Sequence, residues 1–156
     1  MTLYLNLTLD ELTARLHDAQ TGEIFGEIKA GHQSMSALFF ARLPLDALAL
    51  ERAIEWTEDR IQEARLIIPD GTQLSTLDPD VQALKQLANI EGSGAALHVD
   101  AVEQLFSRLV LQAFGQSPST QEVSDSARVF ATVVLLRETL HHLGFEKIHT
   151  GPAAQV

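Results

Sequence analysis

Apolar residues recur every three to four positions along the longer stretches of this chain. Over some shorter stretches they alternate. That difference in period sorts the sequence into helices and strands. The longest apolar run is Ser126–Leu143, SARVFATVVLLRETLHHL. At about 100° per residue, Val129, Phe130, Val133, Val134, Leu136, Leu140 and Leu143 sweep an arc of roughly 180°, wider than the stripe of an ordinary surface helix. The spacing predicts a buried helix over 126–143. Ser124, Asp125 and Ser126 offer N-caps, since a side-chain oxygen there can accept from an unpaired backbone N–H. Gly144 can take the left-handed C-terminal turn, with Phe145 placed for the accompanying apolar contact. Arg128, Thr132, Glu138, Thr139 and His142 fall on the opposite, polar side. Arg137 and His141 interrupt the apolar arc itself and, four apart, are neighbours on the helix surface.

Two further helices are well marked. Over 45–64, Leu50, Ile54, Thr57, Ile61 and Ala64 form one face, while Glu51, Glu55, Glu58, Asp59 and Glu63 make the other acidic. Over 100–114, Val102, Phe106, Leu109, Val110, Ala113 and Phe114 continue from Val99 along one side, and Gly115 closes the helix. A shorter helix begins at Asp78-Pro79, an N-cap followed by proline where a missing N–H costs nothing. The N-terminus alternates as Leu3, Leu5 and Leu7 against Tyr4 and Asn6, a short half-buried strand. Thr8-x-x-Glu11 reads as a capping box leading into a helix with Leu9, Leu12, Leu16 and Ala19, ended by Thr21-Gly22, with a strand straight through Thr2–Leu9 as the competing reading. A hairpin of 23–30 with 36–43 and a short strand at Leu66–Ile68 complete the reading, with an extended piece from Glu146 onward.

These elements predict an α+β fold: a small N-terminal antiparallel sheet packed on a predominantly helical C-terminal part, with an all-α fold as the alternative. The 156 residues suffice for a single domain, 1–156, with a sizeable core. A charge of −10 argues against an electrostatic hold on nucleic acid or an anionic membrane. No apolar run reaches the length of about 20 residues that spans a bilayer. The absence of cysteine excludes disulfides, thiolate zinc sites and a Cys nucleophile, and suits a cytoplasmic address.

The chemistry is sparse. Glu103 falls at the centre of its helix's apolar face, as Arg137 and His141 do on theirs. An unpaired charge there would cost several kcal/mol, so the three are expected to meet. Arg137 is expected to be partly buried and paired with Glu103. The group could be a structural ion pair. The alternative is a binding pocket, with Glu103 as base or anion partner, Arg137 as an anion fork and His141 as proton carrier. Glu55 and Glu58 could share a cation but supply too few oxygens. Glu138-x-x-His141 has the spacing of half a di-iron site without a second half. His98-Val99-Asp100 sits where Asp100 is a natural cap. No metal site and no cofactor are expected. Leu105, Leu109, Leu111 and Leu135 spread around two helices, which points to a homodimer or other protein partner. The sequence thus favours a non-enzymatic interaction or accessory protein over a small-molecule or catalytic domain built on Glu103, Arg137 and His141.

Overall fold

The computed structural model describes residues 2–41, 46–90, 95–113 and 127–152, with the backbone alone at 114–115 and 120–126. Six strands form one mixed sheet: β1 (Tyr4–Leu9), β2 (Ala14–Asp18), β3 (Ile24–Ile28), β4 (Gln73–Ser75), β5 (Ala96–His98) and β6 (Lys147–His149). The spatial order is β3-β2-β1-β4-β6-β5. β1 runs parallel to β4, and β4 parallel to β6; β2 pairs antiparallel with both β1 and β3, and β5 antiparallel with β6. Strand alternation puts Leu5, Leu7, Leu9, Ala14, Leu16, Ile28, Leu74, Leu97 and Ile148 into the core, each buried. Asn6, Thr8, Arg15, His17 and His149 alternate with them along the strands.

Five helices complete the fold: α1 (His32–Phe39), α2 (Ala47–Glu63), α3 (Pro79–Leu87), α4 (Val99–Gly115) and α5 (Thr120–Leu143). Helix α5 touches each of the other four. That position explains its composition. A helix enclosed on all sides needs apolar or internally satisfied residues all round. Ala131, Val133, Val134, Leu135, Leu136 and Leu140 are buried, and so are Thr132, Glu138 and Thr139 on the side that the periodicity marked as polar. Thr132 satisfies its hydroxyl on the Arg128 carbonyl one turn back. Leu135, expected at the surface, is in the core, as is Leu105. Leu111 alone of that set is strongly exposed, at 76%.

The α+β class is the one expected, but the sheet is larger, mixed and drawn from the whole chain. Thr8-x-x-Glu11 does not start a helix: Thr8 lies in β1, and Asp10 N–H donates to the Thr13 carbonyl to close a tight turn into β2. The period-two register wins because it places Leu7 opposite Leu16 and Leu9 opposite Ala14 on the buried face. Leu12, which the helical reading needed inside, is 63% exposed in the turn. The hairpin of 23–30 with 36–43 is also corrected. β3 already has β2 as its partner, and 32–39 coil into α1, burying His32 and Met35 three residues apart. Residues 42–43 of that expected strand lie outside the described residues. Leu66–Ile68 form no strand, and Ile67 is exposed; the parallel partner of β1 is β4, five residues further on. Helix α5 starts at Thr120, so Ser124, Asp125 and Ser126 lie within it and do not cap it. Its other end is as expected: Gly144 has φ +78°, and Phe145, buried, donates its N–H to the Leu140 carbonyl.

Two clasps fix the carboxyl ends of β1 and β4. The Asp78 carboxylate accepts from Leu9 N–H at 2.8 Å and from Asp80 N–H at 2.9 Å, tying the end of β1 to the start of α3. Glu11 carbonyl accepts from the Gln33 and Ser34 N–H groups at the start of α1. Gly31 is needed there because any Cβ would collide with the Glu11 backbone.

Candidate functional site

Arg137 is the hub of the charged groups along the α4–α5 seam. Its Nε donates to Glu103 Oε1 at 2.7 Å, and its Nη1 donates to Glu138 Oε2 at 2.7 Å. The guanidinium carbon stands 4.6 Å from the centre of the Phe106 ring, a cation–π contact that holds the fork flat against α4. Arg137 is 25% exposed and Glu103 45%, while Glu138 is only 4% exposed. The expected pair of Arg137 with Glu103 therefore forms at the edge of the core, and the buried partner is Glu138.

Glu138 in turn meets α2. His142, one turn on along α5, places its Nε2 3.5 Å from Glu138 Oε1 and 3.5 Å from Glu58 Oε1. Burial pushes the Glu138 carboxyl above its ordinary range, and the facing Glu58 carboxyl adds to that shift. Arg137 and His142 pull it back. One donor atom each from Glu58, Glu138 and His142 lies within 4.8 Å of the other two. Helical periodicity missed this group because Glu58 and His142 were assigned to solvated faces. Packing of α2 against α5 turns those faces toward each other. The signal that could have found it is the Glu138–His142 spacing of four, which puts both on one face.

His141 does not join Glu103 and Arg137 in a common pocket. Its ring lies edge-on to His142, with centroids 5.2 Å apart, and it lines a separate open cavity of about 420 Å³. His98, Asp100, Glu146 and Phe145 share that cavity, which sits between the start of α4 and the end of α5. Val99 N–H donates to the Glu146 carbonyl and fixes the two sides. His98 and Asp100, set aside in the sequence as a helix start, thus line the same cavity as His141. Neighbouring His149 in β6 is held below the ordinary histidine range by burial, by Lys147 and by His98.

The carboxyl edge of the parallel strands, where open α/β sheets commonly bind ligands, is more fully occupied by the chain itself. Asp78 and the Glu11 carbonyl fill the two helix starts there. Arg128 makes a two-pronged contact with Asp80 at 2.9 and 3.0 Å, which raises the arginine pKa further. Arg15 pairs with Glu27 at 3.0 Å. A cavity of about 280 Å³ remains beside Asn6, Thr8 and Asp78, and the buried Asn6 Oδ1 has no hydrogen-bond partner among the described residues.

Among the described residues no helix is long and apolar enough to cross a membrane. No protein-family model matches the sequence, and no curated protein sequence does. Solved structures do match. An exopolyphosphatase-like protein superimposes with a TM-score of 0.72 at 12% identity, over 97% of this chain and 55% of its own. The Ppx/GppA enzyme of Aquifex aeolicus gives 0.73 at 11% identity, over 97% and 54%. An exopolyphosphatase from Cytophaga hutchinsonii gives 0.65 at 13%, over 98% and 54%. The chain spans about half the length of these structures. The match corrects the expectation of a non-enzymatic interaction or accessory protein, since the fold aligned along nearly the whole chain is one found in phosphatases. At this level of identity the likeness is one of fold, and that fold is shared with exopolyphosphatase and Ppx/GppA structures.

Proposed function

We propose that the chain is a small-molecule-binding or catalytic domain for a phosphorylated ligand, seated in the cavity between α4 and α5. The observation that carries this reading is the fold match to phosphatases along 97% of the chain. The cavity supports it. At about 420 Å³ it falls in the size range of small-molecule sites. It opens at the start of the 17-residue α4, the positive end of a helix dipole. His98 and His141 can donate to phosphate oxygens and exchange protons with a leaving group. Asp100 and Glu146 repel a bare anion, so binding is favoured by a divalent cation bridging carboxylate to phosphate. Arg137 and Glu103, which the sequence placed with His141 as binding residues, serve in this reading as the adjoining support of α5 against α4.

Calorimetric titration with tripolyphosphate, with and without Mg²⁺, tests the proposal. Binding is expected to be tighter with Mg²⁺, and weakened at least about tenfold by His141→Ala. Release of orthophosphate, followed in parallel, separates a catalytic domain from a binding one. No binding under any condition, or binding indifferent to His141→Ala, would overturn the reading.

A further inference from the structure

We propose that Glu58, Glu138 and His142 form a binding site for a divalent transition-metal ion of the zinc class, between α2 and α5 and apart from the ligand cavity. The geometry is the argument. In a tetrahedral site with bonds of about 2.0–2.1 Å, donor atoms stand roughly 3.3–3.4 Å apart. His142 Nε2 is 3.5 Å from an oxygen of each glutamate. Two edges of such a site are thus within a tenth or two of an ångström of their ideal length, and the third donor pair closes the triangle within 4.8 Å. Glu138 and His142 are four apart on one helix, the spacing that lets two side chains grip one ion, and Glu58 comes from the helix facing them.

The surroundings suit a metal. Arg137 Nη1 holds Glu138 Oε2 at 2.7 Å, leaving Oε1 turned to His142 as a single-oxygen ligand. Arg137 is itself fixed by Glu103 and Phe106. This is the orienting outer shell that metal carboxylates require. Three protein ligands leave a fourth position for water or a ligand atom. A donor set of one imidazole and two carboxylates selects zinc, manganese or iron(II) over soft copper(I), and its nitrogen disfavours magnesium and calcium. A cation there also removes the repulsion between Glu58 and Glu138, which otherwise face each other across the helices.

The test uses the full chain, stripped with a chelator and titrated calorimetrically with Zn²⁺. One equivalent is expected at micromolar affinity or better, with a matching rise in melting temperature. Glu58→Gln and His142→Asn should each weaken binding at least about tenfold and abolish the thermal shift, while His17→Asn leaves both unchanged. Glu58 and His142 are less buried than Glu138, so these variants fold even if Glu138→Gln does not. Absence of binding, or binding unaffected by Glu58→Gln and His142→Asn, would overturn the proposal.

Discussion

At the scale of single residues, Arg137 decides more than its own exposure suggests. Of its two carboxylate partners, Glu103 is 45% exposed and Glu138 4%. A half-exposed pair contributes about 0–1 kcal/mol. A buried carboxylate stripped of its counter-charge costs more, about 2–3 kcal/mol when water can partly reach the gap. Arg137→Met is therefore expected to destabilise by about 2–3 kcal/mol. Adding Glu138→Gln should recover most of the loss, and adding Glu103→Leu should recover little. Denaturation midpoints of the two double-mutant cycles measure both couplings. Rescue by the Glu103 change alone would show that the pair at the edge of the core is the one that matters.

Glu138 also sets a pH dependence. Its carboxyl is held above the ordinary range, chiefly by burial, so the fold favours the protonated form. The associated stability is complete below the unfolded value of about 4.3 and is lost as pH rises through the folded value. Glu138→Gln cannot titrate. In the presence of a chelator, the variant should gain on the wild-type protein as pH rises from about 4 upward. Unfolding curves across that range provide the check, and a pH-independent difference would contradict it.

At the scale of elements, the sequence was most legible where one face meets the core. Helices α2, α3 and α4 lie close to their predicted bounds because their apolar residues keep one helical face. Asp78 and Gly144 perform the end roles their types suggest. The misread elements have short patterns that fit two periods. Leu9, Leu12 and Leu16 satisfy a helical spacing, while Leu5, Leu7, Leu9, Ala14 and Leu16 satisfy a strand pair; only the partner strand decides. The extended piece expected from Glu146 is β6, whereas the three-residue strands β4 and β5 are too short to announce themselves, and parallel pairing with β1 is set by segments far apart in sequence. Helix α5 failed in a different way. Its arc was read correctly, but Thr132, Glu138 and Thr139 on its polar side are buried, a fact of packing that no single helix records. The candidate site suffered for that reason: Arg137 with Glu103 was legible from two apolar faces, whereas Glu58, Glu138 and His142 required two helices brought together.

At the scale of the whole molecule, the sheet supplies a rigid floor and α5 a central post on which α1 to α4 lean. The two functional proposals sit at different places around that post. The metal proposal lies on its α2 side, and the ligand cavity, lined by His98, Asp100, His141 and Glu146, at its C-terminal end. The most direct test of the ligand reading is to watch the histidines themselves. Imidazole proton and carbon resonances can be followed by NMR while tripolyphosphate and Mg²⁺ are added to the full chain. The account predicts that His98 and His141 shift with a common saturation curve while His17 and His32 stay still. Unmoved resonances at His98 and His141, or equal drift of all the histidines, would contradict it.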